Sequence, residues 1–310
     1  MLRATVDEWA LHVKVRDGCY HDDPRGYFTE TTYQDDPKTR AWCAGPLTDV
    51  WAACDAETAV AQASLLRVMA LGDSFTDGVG VFARDTWPAQ LDTLLGENTA
   101  VVNCGKAASF TAQTAKRYLS HRDRHASRVV IYAFVLNDVP LRDAAPLDGT
   151  DIAFQLPNRE AYKDTVWGPV ARESALGRLI IERLVSRQVH HETLGLYEAT
   201  YGPGNEAAVD EAMDLIGAMN ELTTRDGAHL LVAIWPLLEE LDDYPFGAIH
   251  GQIADELTER GVAVLDMLPT FAGRDESELH VHPTDHHPNE IAHRLAAEAI
   301  AKALSEQLKP

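Results

Sequence analysis

The sequence predicts an α/β fold, a three-layer α/β/α sandwich with a central parallel sheet, preceded by a small β-rich N-terminal extension. From Arg67 onward, short apolar segments alternate with longer amphipathic ones, which implies right-handed crossovers between parallel strands. The apolar segments run without polar interruption, as expected for strands covered on both faces. They predict strands near 67–72, 99–103, 128–134, 230–235 and 262–266.

The amphipathic segments predict helices between these strands, with one more at the C-terminal end. The predicted helices lie near 86–96, 110–122, 170–190, 206–226, 247–260 and 289–307. In the last of them, apolar residues recur at roughly helical spacing, which predicts a stripe packed on the sheet. These residues are Ile291, Leu295, Ile300, Leu304 and Leu308.

Two stretches depart from this alternation. Residues 1–65 contain strand-like and irregular segments, such as the alternating Trp9–Val15, and predict an accessory β-rich extension to a main domain at 66–310. The second stretch, about 140–167, holds many Pro, Gly and Asp residues and predicts a long loop. Because long loops in compact domains often bind ligands, we expect this one to shape substrate specificity.

Composition narrows the class of partner. The net charge of -21, from 27 basic and 48 acidic residues, disfavours nucleic acids and anionic lipids. The chain begins without a signal-peptide pattern and has no apolar run of membrane-spanning length, so we expect a cytoplasmic protein without a membrane partner. Four cysteines, at positions 19, 43, 54 and 104, show no Cys-x-x-Cys spacing and are interpreted as reduced thiols.

A serine follows the first predicted strand of the main domain, in the stretch Leu71–Gly78. In a strand-turn-helix unit, the N–H groups that begin the helix have no intrahelical acceptor, so they can stabilise an oxyanion that forms at the serine. Ser74 is therefore a candidate nucleophile. The alternative is an ordinary helix N-cap, because Ser and Asp are the commonest residues there.

The Gly72-Asp73-Ser74-Phe75 stretch resembles the first block of the SGNH/GDSL hydrolase family, whose four catalytic positions are a Ser, a Gly, an Asn and a His in separate blocks. The resemblance extends over about 67–308. It implies a flavodoxin-like fold and a serine esterase that needs no cofactor. The absence of Gly-x-Ser-x-Gly around Ser74 argues against the α/β-hydrolase nucleophile elbow.

Asn103–Ser109 resembles the second block, with Ala108 in place of its second glycine. The resemblance implies that the Ala108 N–H contributes to the oxyanion hole. Alanine suits this role only if the backbone there does not need a positive φ. A plain strand-to-helix turn is the alternative.

Val135–Asp138 resembles the third block, Gly-x-Asn-Asp, with Val135 at the glycine position. The Asn137 amide would donate to the same oxyanion. Asn-Asp is also common in turns that end strands.

The closing block, His287-Pro288-Asn289, precedes the last helix and makes His287 the general base. The commonest family spacing would put the triad acid at Thr284, whereas this sequence offers Asp285. A carboxylate there would fix the tautomer of His287. His286 is expected to face the other way, because adjacent residues on an extended segment do so.

Four histidines, His280, His282, His286 and His287, raise the alternative of a zinc site. No cysteine or glutamate stands at zinc-motif spacing, so we expect neither a metal nor another cofactor.

Taken together, the blocks predict hydrolysis of a carboxylic ester, an O-acyl or O-acetyl group on a small or medium substrate, through an acyl-enzyme. An O-acyltransferase would use the same residues. A non-catalytic binding domain that retained the fold is a further alternative, which Ala108 and Val135 slightly favour. The retention of Ser74, Asn137, Asp285 and His287 argues against it.

Overall fold

The computed structural model describes Cys54 and residues 66–141, 165, 167–169, 174–282 and 285–307. Apart from Cys54, the predicted extension at 1–65 lies outside the described residues, as does most of the predicted 140–167 loop. The boundary between the extension and the catalytic domain therefore stays a prediction. The chain divides into two compact units, one comprising Met1–Cys43, Pro140–Glu206 and His282–Asp285, the other Ala44–Val139, Ala207–Val281 and His286–Pro310.

The second unit contains a five-stranded parallel sheet. Its strands are β1 (Leu66–Gly72), β2 (Thr99–Asn103), β3 (Val129–Val135), β4 (His229–Trp235) and β5 (Ala263–Asp266), in the order β2-β1-β3-β4-β5. Each of these five strands begins and ends within about one residue of its predicted limits. Two short strands, β6 (His280–His282) and β7 (Asp285–Pro288), form a separate pair.

A helix lies in each predicted interval and two short helices are added, although the helix predicted near 170–190 spans Ala175–Thr200. The helices are α1 (Ser74–Asp77), α2 (Trp87–Leu95), α3 (Thr111–His125), α4 (Ala175–Thr200), α5 (Glu206–Arg225), α6 (Gly247–Glu259), α7 (Leu268–Phe271) and α8 (Glu290–Gln307). The short α1 and α7 were not predicted, because four residues are too few to show a helical period. Within the described residues, no helix combines the length and the apolarity needed to cross a membrane.

Helices cover both faces of the sheet, which confirms the three-layer prediction. On one face, alternate strand residues such as Val68 and Ile131 pack with Trp87 of α2 and Ile300 of α8 in a single core. On the other face, the Tyr132 hydroxyl lies 3.1 Å from the Thr111 Oγ1 atom at the start of α3. With both faces covered, β3 is buried along its whole length, which explains its purely apolar sequence.

Helix α8 packs against α2 through a face of small residues. Its buried apolar residues are Ala292, Ala296, Ala297, Ile300 and Leu304, whereas Ile291 and Leu295 are partly buried and pack against the core. The predicted stripe therefore packs on the core at all four described positions, with Ile300 and Leu304 fully buried and Ile291 and Leu295 partly buried. Leu308 lies outside the described residues.

The strand order places a topological switch point at the carboxyl ends of β1 and β3. The chain leaves β1 toward β2 on one side and then returns to β3 on the other, which makes a topological switch point. Ligands of open α/β sheets bind at such points. Ser74 follows β1, and Asn137 follows β3, so the topology alone brings two predicted site residues together.

Two cysteines form a disulfide, which corrects their interpretation as reduced thiols. Cys54 and Cys104 are bonded, although 50 positions separate them in sequence. Both side chains are buried. The pairing has no local spacing signal, because the fold alone brings Cys54 to the end of β2. Cys19 and Cys43 lie outside the described residues.

We expect loss of this disulfide to lower the free energy of unfolding by about 2–4 kcal/mol, because closing a long loop restricts the unfolded chain. Urea unfolding with and without dithiothreitol measures the difference. The Cys54→Ala/Cys104→Ala variant is the control, since dithiothreitol should not alter its stability. Two alkylatable thiols at these positions in unreduced protein would contradict the bond.

Candidate active site

The candidate nucleophile lies in a tight turn that begins directly after β1. Ser74 is the first residue of α1 and is 9% exposed. Asp73 caps this helix, its Oδ1 atom accepting the Phe75 N–H at 2.9 Å. Gly72 has a φ of 149°, and a Cβ there would lie 2.7 Å from the Ala133 carbonyl oxygen. Only glycine therefore lets the chain leave the strand at this point.

The predicted base lies beside the predicted nucleophile. The His287 Nε2 atom is 2.9 Å from the Ser74 Oγ atom, although 213 positions separate the two residues. A neutral imidazole at this distance can accept the hydroxyl proton. The Phe75 ring, 5.9 Å from the His287 ring, packs alongside. The structure therefore brings Ser74 and His287 together in the geometry of a nucleophile and its base.

Asn137 joins this pair through Asp73. The Asn137 Nδ2 atom donates to Asp73 Oδ2 at 2.9 Å, and the Ser74 Oγ atom lies 3.4 Å from the same oxygen. Burial raises the pKa of the Asp73 carboxyl above its usual value, an effect that these hydrogen bonds oppose. Sequence reasoning found Asn137 but not this role of Asp73. The sequence marks Asp73 only as a residue that commonly caps a helix. It does not indicate that Asp73 bonds to Asn137, 64 positions away.

Alanine was expected to suit position 108 only if the backbone there did not need a positive φ, and the structure does not meet this condition. The φ of Ala108 is 58°, in the left-handed region, which costs a residue with a Cβ about 1–2 kcal/mol. The loop that carries it lies against α1. The Asn103 Nδ2 atom donates to the Thr76 carbonyl oxygen at 2.7 Å, and a Cβ on Gly105 would lie 2.4 Å from the Asp77 nitrogen. Ala108, at the position where the family has glycine, therefore has a strained backbone conformation.

Asp138, the second residue of the Asn-Asp pair, holds the turn that carries Asn137. Its Oδ2 atom accepts from the Tyr132 hydroxyl at 2.9 Å and from the Val135 N–H at 3.1 Å. Burial, followed by the nearby charge of Asp73, raises the pKa of Asp138 well above its usual value. Asp138 is therefore a buried part of the scaffold.

The other histidines near His287 have partners within the protein. His286 binds Glu239, Nδ1 to Oε1, at 2.6 Å, and the His280 ring stacks on it with centroids 4.3 Å apart. The prediction that His286 faces away from the serine is confirmed. The side chain of His282 lies outside the described residues. Among the described residues, the ligand atoms of Cys54, Cys104 and His125 lie close enough together to hold a metal ion. The sulfurs of the two cysteines, however, form the disulfide.

A further histidine, His293, was not singled out in the sequence and is fully buried on α8. Its Nδ1 atom accepts the Trp87 N–H at 3.1 Å. Burial lowers the pKa of His293 to about 3, so the ring stays neutral at ordinary pH. It fixes α8 to the start of α2 and is not a second base.

Residues 70–295 match the model of the GDSL-like lipase/acylhydrolase family. The chain belongs to this family. The matched region includes Ser74, Ala108, Asn137, Asp285 and His287, and family membership supports ester hydrolysis in general. A comparison with functionally curated proteins finds no match.

Several solved structures resemble this GDSL-family chain at low sequence identity. TesA is 14% identical, covering 78% of this chain and 99% of its own, with a TM-score of 0.46. An acetylxylan esterase, Axe2 from Geobacillus stearothermophilus, is 13% identical over 79% of this chain and 95% of its own, with a TM-score of 0.49. A lipolytic G-D-S-L family protein from Veillonella parvula is 14% identical over 77% and 98%, with a TM-score of 0.42. At these values the similarity is one of topology, and no activity is carried over.

The catalytic roles stay predictions, and for the predicted triad acid the structure does not describe the side chain either. The backbone of Asp285 belongs to β7, but its side chain lies outside the described residues, as does all of Thr284. The structure thus brings together Ser74, His287 and Asn137, and gives Ala108 a left-handed backbone conformation.

Proposed function

We propose that this GDSL-family protein hydrolyses a carboxylic ester of a small or medium acyl substrate through a covalent acyl-enzyme on Ser74. The observation that carries the proposal is the 2.9 Å separation between Ser74 Oγ and His287 Nε2. A serine hydroxyl is a weak nucleophile by itself, and an adjacent imidazole that removes its proton activates it.

In the first half of the proposed reaction, Ser74 Oγ attacks the acyl carbonyl while its proton passes to His287 Nε2. Asp285 fixes the tautomer of His287 and stabilises the imidazolium that forms. When the tetrahedral intermediate collapses, the imidazolium gives its proton to the departing alcohol oxygen. Water then repeats the sequence, losing its proton to His287 and releasing the carboxylic acid from Ser74.

Three donors would stabilise the negative oxygen of the intermediate: the Ser74 N–H, the Ala108 N–H and the Asn137 amide. Ser74 begins α1, where N–H groups have no intrahelical acceptor. The Asn137 amide has two N–H bonds, and donating one to Asp73 leaves the other for the substrate oxygen. Asp73 thereby fixes the direction in which Asn137 donates.

Asn137→Ala is expected to lower kcat by about 10²–10³, with little change in KM, because one oxyanion donor is lost and the donor acts mainly in the transition state. Steady-state kinetics on p-nitrophenyl acetate measure the effect. Asn220→Ala is the matched control, since it removes an exposed amide that donates to the Gly261 carbonyl oxygen. Equal kcat values for both variants would remove Asn137 from the oxyanion hole.

The proposal is tested by labelling with a fluorophosphonate, which reacts with activated serines, followed by peptide mass mapping. We expect the label on Ser74 in the wild type and no label on that peptide in Ser74→Ala. Folded protein that resists labelling and cleaves no ester would instead indicate a binding domain. Addition of an alcohol acceptor separates hydrolysis from acyl transfer, since a transferase would form a new ester.

We propose an uncharged or cationic substrate, because the acidic chain repels anions. A panel of p-nitrophenyl esters of equal length with neutral, cationic and anionic acyl groups tests this preference. The cytoplasmic location stays a prediction. Disulfides persist mainly in oxidising compartments. The redox state of Cys54 and Cys104 in protein isolated from its native cells therefore tests the predicted location, and an intact disulfide there would argue against the cytoplasm.

A further inference from the structure

The carboxylate of Asp77 binds the turn that carries Ala108. Asp77 is the last residue of α1 and is 5% exposed. Its Oδ2 atom accepts the N–H of Ala107 at 3.0 Å. The next residue, Ala108, has the φ of 58° that a residue with a Cβ seldom adopts. An acidic side chain of the nucleophile helix thus binds the backbone directly before a strained residue.

A strained backbone persists only where its surroundings enforce it. Two other contacts fix the approach of this loop to the nucleophile turn: Asn103 Nδ2 donates to the Thr76 carbonyl oxygen, and the Lys106 N–H donates to the Gly72 carbonyl oxygen at 3.0 Å. These contacts fix the loop up to Lys106. The Asp77 bond reaches one residue further and is charge-assisted, which makes it stronger than a bond between neutral groups.

We propose that Asp77 is a positioning residue for the oxyanion hole. By holding the Ala107 N–H, its carboxylate keeps Ala108 in the left-handed conformation, in which the Ala108 N–H faces the carbonyl oxygen of the bound ester. Asp77 does not touch the substrate and acts through Ala108. The inference rests on the proposed function, in which the Ala108 N–H is one of three oxyanion donors.

If Asp77 acts in this way, its loss affects the transition state more than substrate binding. Asp77→Ala is expected to lower kcat for p-nitrophenyl acetate by about 10- to 100-fold, somewhat less than removal of a donor outright, with KM changed less than threefold. Binding of phenylboronic acid, which forms a tetrahedral adduct with a reactive serine, should weaken by a similar factor. Asp77→Asn, whose amide oxygen can still accept the Ala107 N–H, should recover most of the activity.

A double-mutant cycle with Ala108→Gly separates positioning from a general structural role. Glycine adopts positive φ without the steric cost of a Cβ, so a glycine turn depends less on being held by Asp77. We therefore expect Asp77→Ala to reduce kcat at least threefold less in the Ala108→Gly background than in the wild type. A merely structural aspartate would cause the same reduction in both backgrounds.

Asp92→Ala is the matched control for loss of a carboxylate that binds backbone. The Asp92 Oδ1 atom accepts the Val101 N–H at 2.8 Å, in the middle of β2 and away from the turn that carries Ala108. This variant should lose stability but keep its kcat and its affinity for phenylboronic acid. If Asp77→Ala does not fold, Asp77→Ser takes its place in every comparison.

The outcomes distinguish this inference from the proposed function. A wild type that neither hydrolyses esters nor takes the fluorophosphonate label on Ser74 overturns the proposed function. If Ser74 is labelled and active, but the Asp77 variants keep the wild-type kcat or lose it equally in both backgrounds, the proposed function stands and the positioning role of Asp77 is overturned.

Discussion

Ser74→Ala is expected to lower kcat for short-chain p-nitrophenyl esters by on the order of 10⁶, close to the uncatalysed rate. Without the Oγ atom no acyl-enzyme forms, and the remaining oxyanion donors give only a small residual acceleration. The substitution should leave the fold intact, because it removes one oxygen atom and no apolar contact. The Asp73 cap of α1 also remains, since it binds the Phe75 N–H and not the Ser74 side chain.

The measurement is initial-rate hydrolysis together with circular dichroism and a thermal melt of the same preparation. Ser120→Ala is the matched control, because its Oγ atom donates to the Lys116 carbonyl oxygen on the exposed surface of α3. That variant should hydrolyse esters at the wild-type rate. A folded Ser74→Ala protein that retains even a hundredth of wild-type turnover would contradict an acyl-enzyme on Ser74.

The sheet could be predicted from sequence because each strand carries its own signal. The run Val129–Val135 is short and largely β-branched or aromatic, and Asn-Asp follows it after Leu136, which favours a strand buried on both faces. The prediction of these strands also placed Ser74 and Asn137 just after strand ends. Since carboxyl ends of parallel strands share one edge of the sheet, their proximity could be expected before any coordinates.

Contacts between distant segments could not be predicted in this way. The Cys54–Cys104 disulfide and the Asp73–Asn137 hydrogen bond join residues whose local sequence gives no pairing signal. The resemblance to family blocks identified Ser74, Asn137 and His287, but a block marks a position and does not describe what holds it. Asp73 and Asp77 therefore emerged only from the structure.

Ala108 illustrates a limit of a different kind. The family's glycine identified the position, and elementary sterics indicated that alanine would fit only with a negative φ. The structure instead keeps the positive φ of 58° with alanine in place. The surrounding bonds from α1 explain how, because a rigid neighbouring helix can impose a conformation that the local residue disfavours. A local rule failed here because non-local contacts outweighed it.

The second large effect is expected for Asp285→Asn, which should lower kcat by about 10⁴, as loss of the corresponding charge does in a serine protease. An asparagine amide could still occupy the site but would favour the wrong tautomer of His287 and leave the imidazolium without a neutralising charge. Asp285 is the residue to test, because it is the carboxylate that the closing block offers in place of Thr284 at the family's commoner spacing.

Thr284→Ala is the control for this assignment, because Thr284 stands at the spacing where the family most often has the acid, yet it carries no charge. We expect this variant to keep its kcat within about threefold of the wild type, since a hydroxyl contributes little to stabilising an imidazolium. Ester hydrolysis by both folded variants across pH 5–9 measures the difference. Asp285→Asn should stay slow at every pH in that range, because the loss comes from the tautomer of His287 and from the missing charge, and not from the protonation state of the base. Near-normal turnover of Asp285→Asn would show that another carboxylate, or none, orients His287 and stabilises its imidazolium.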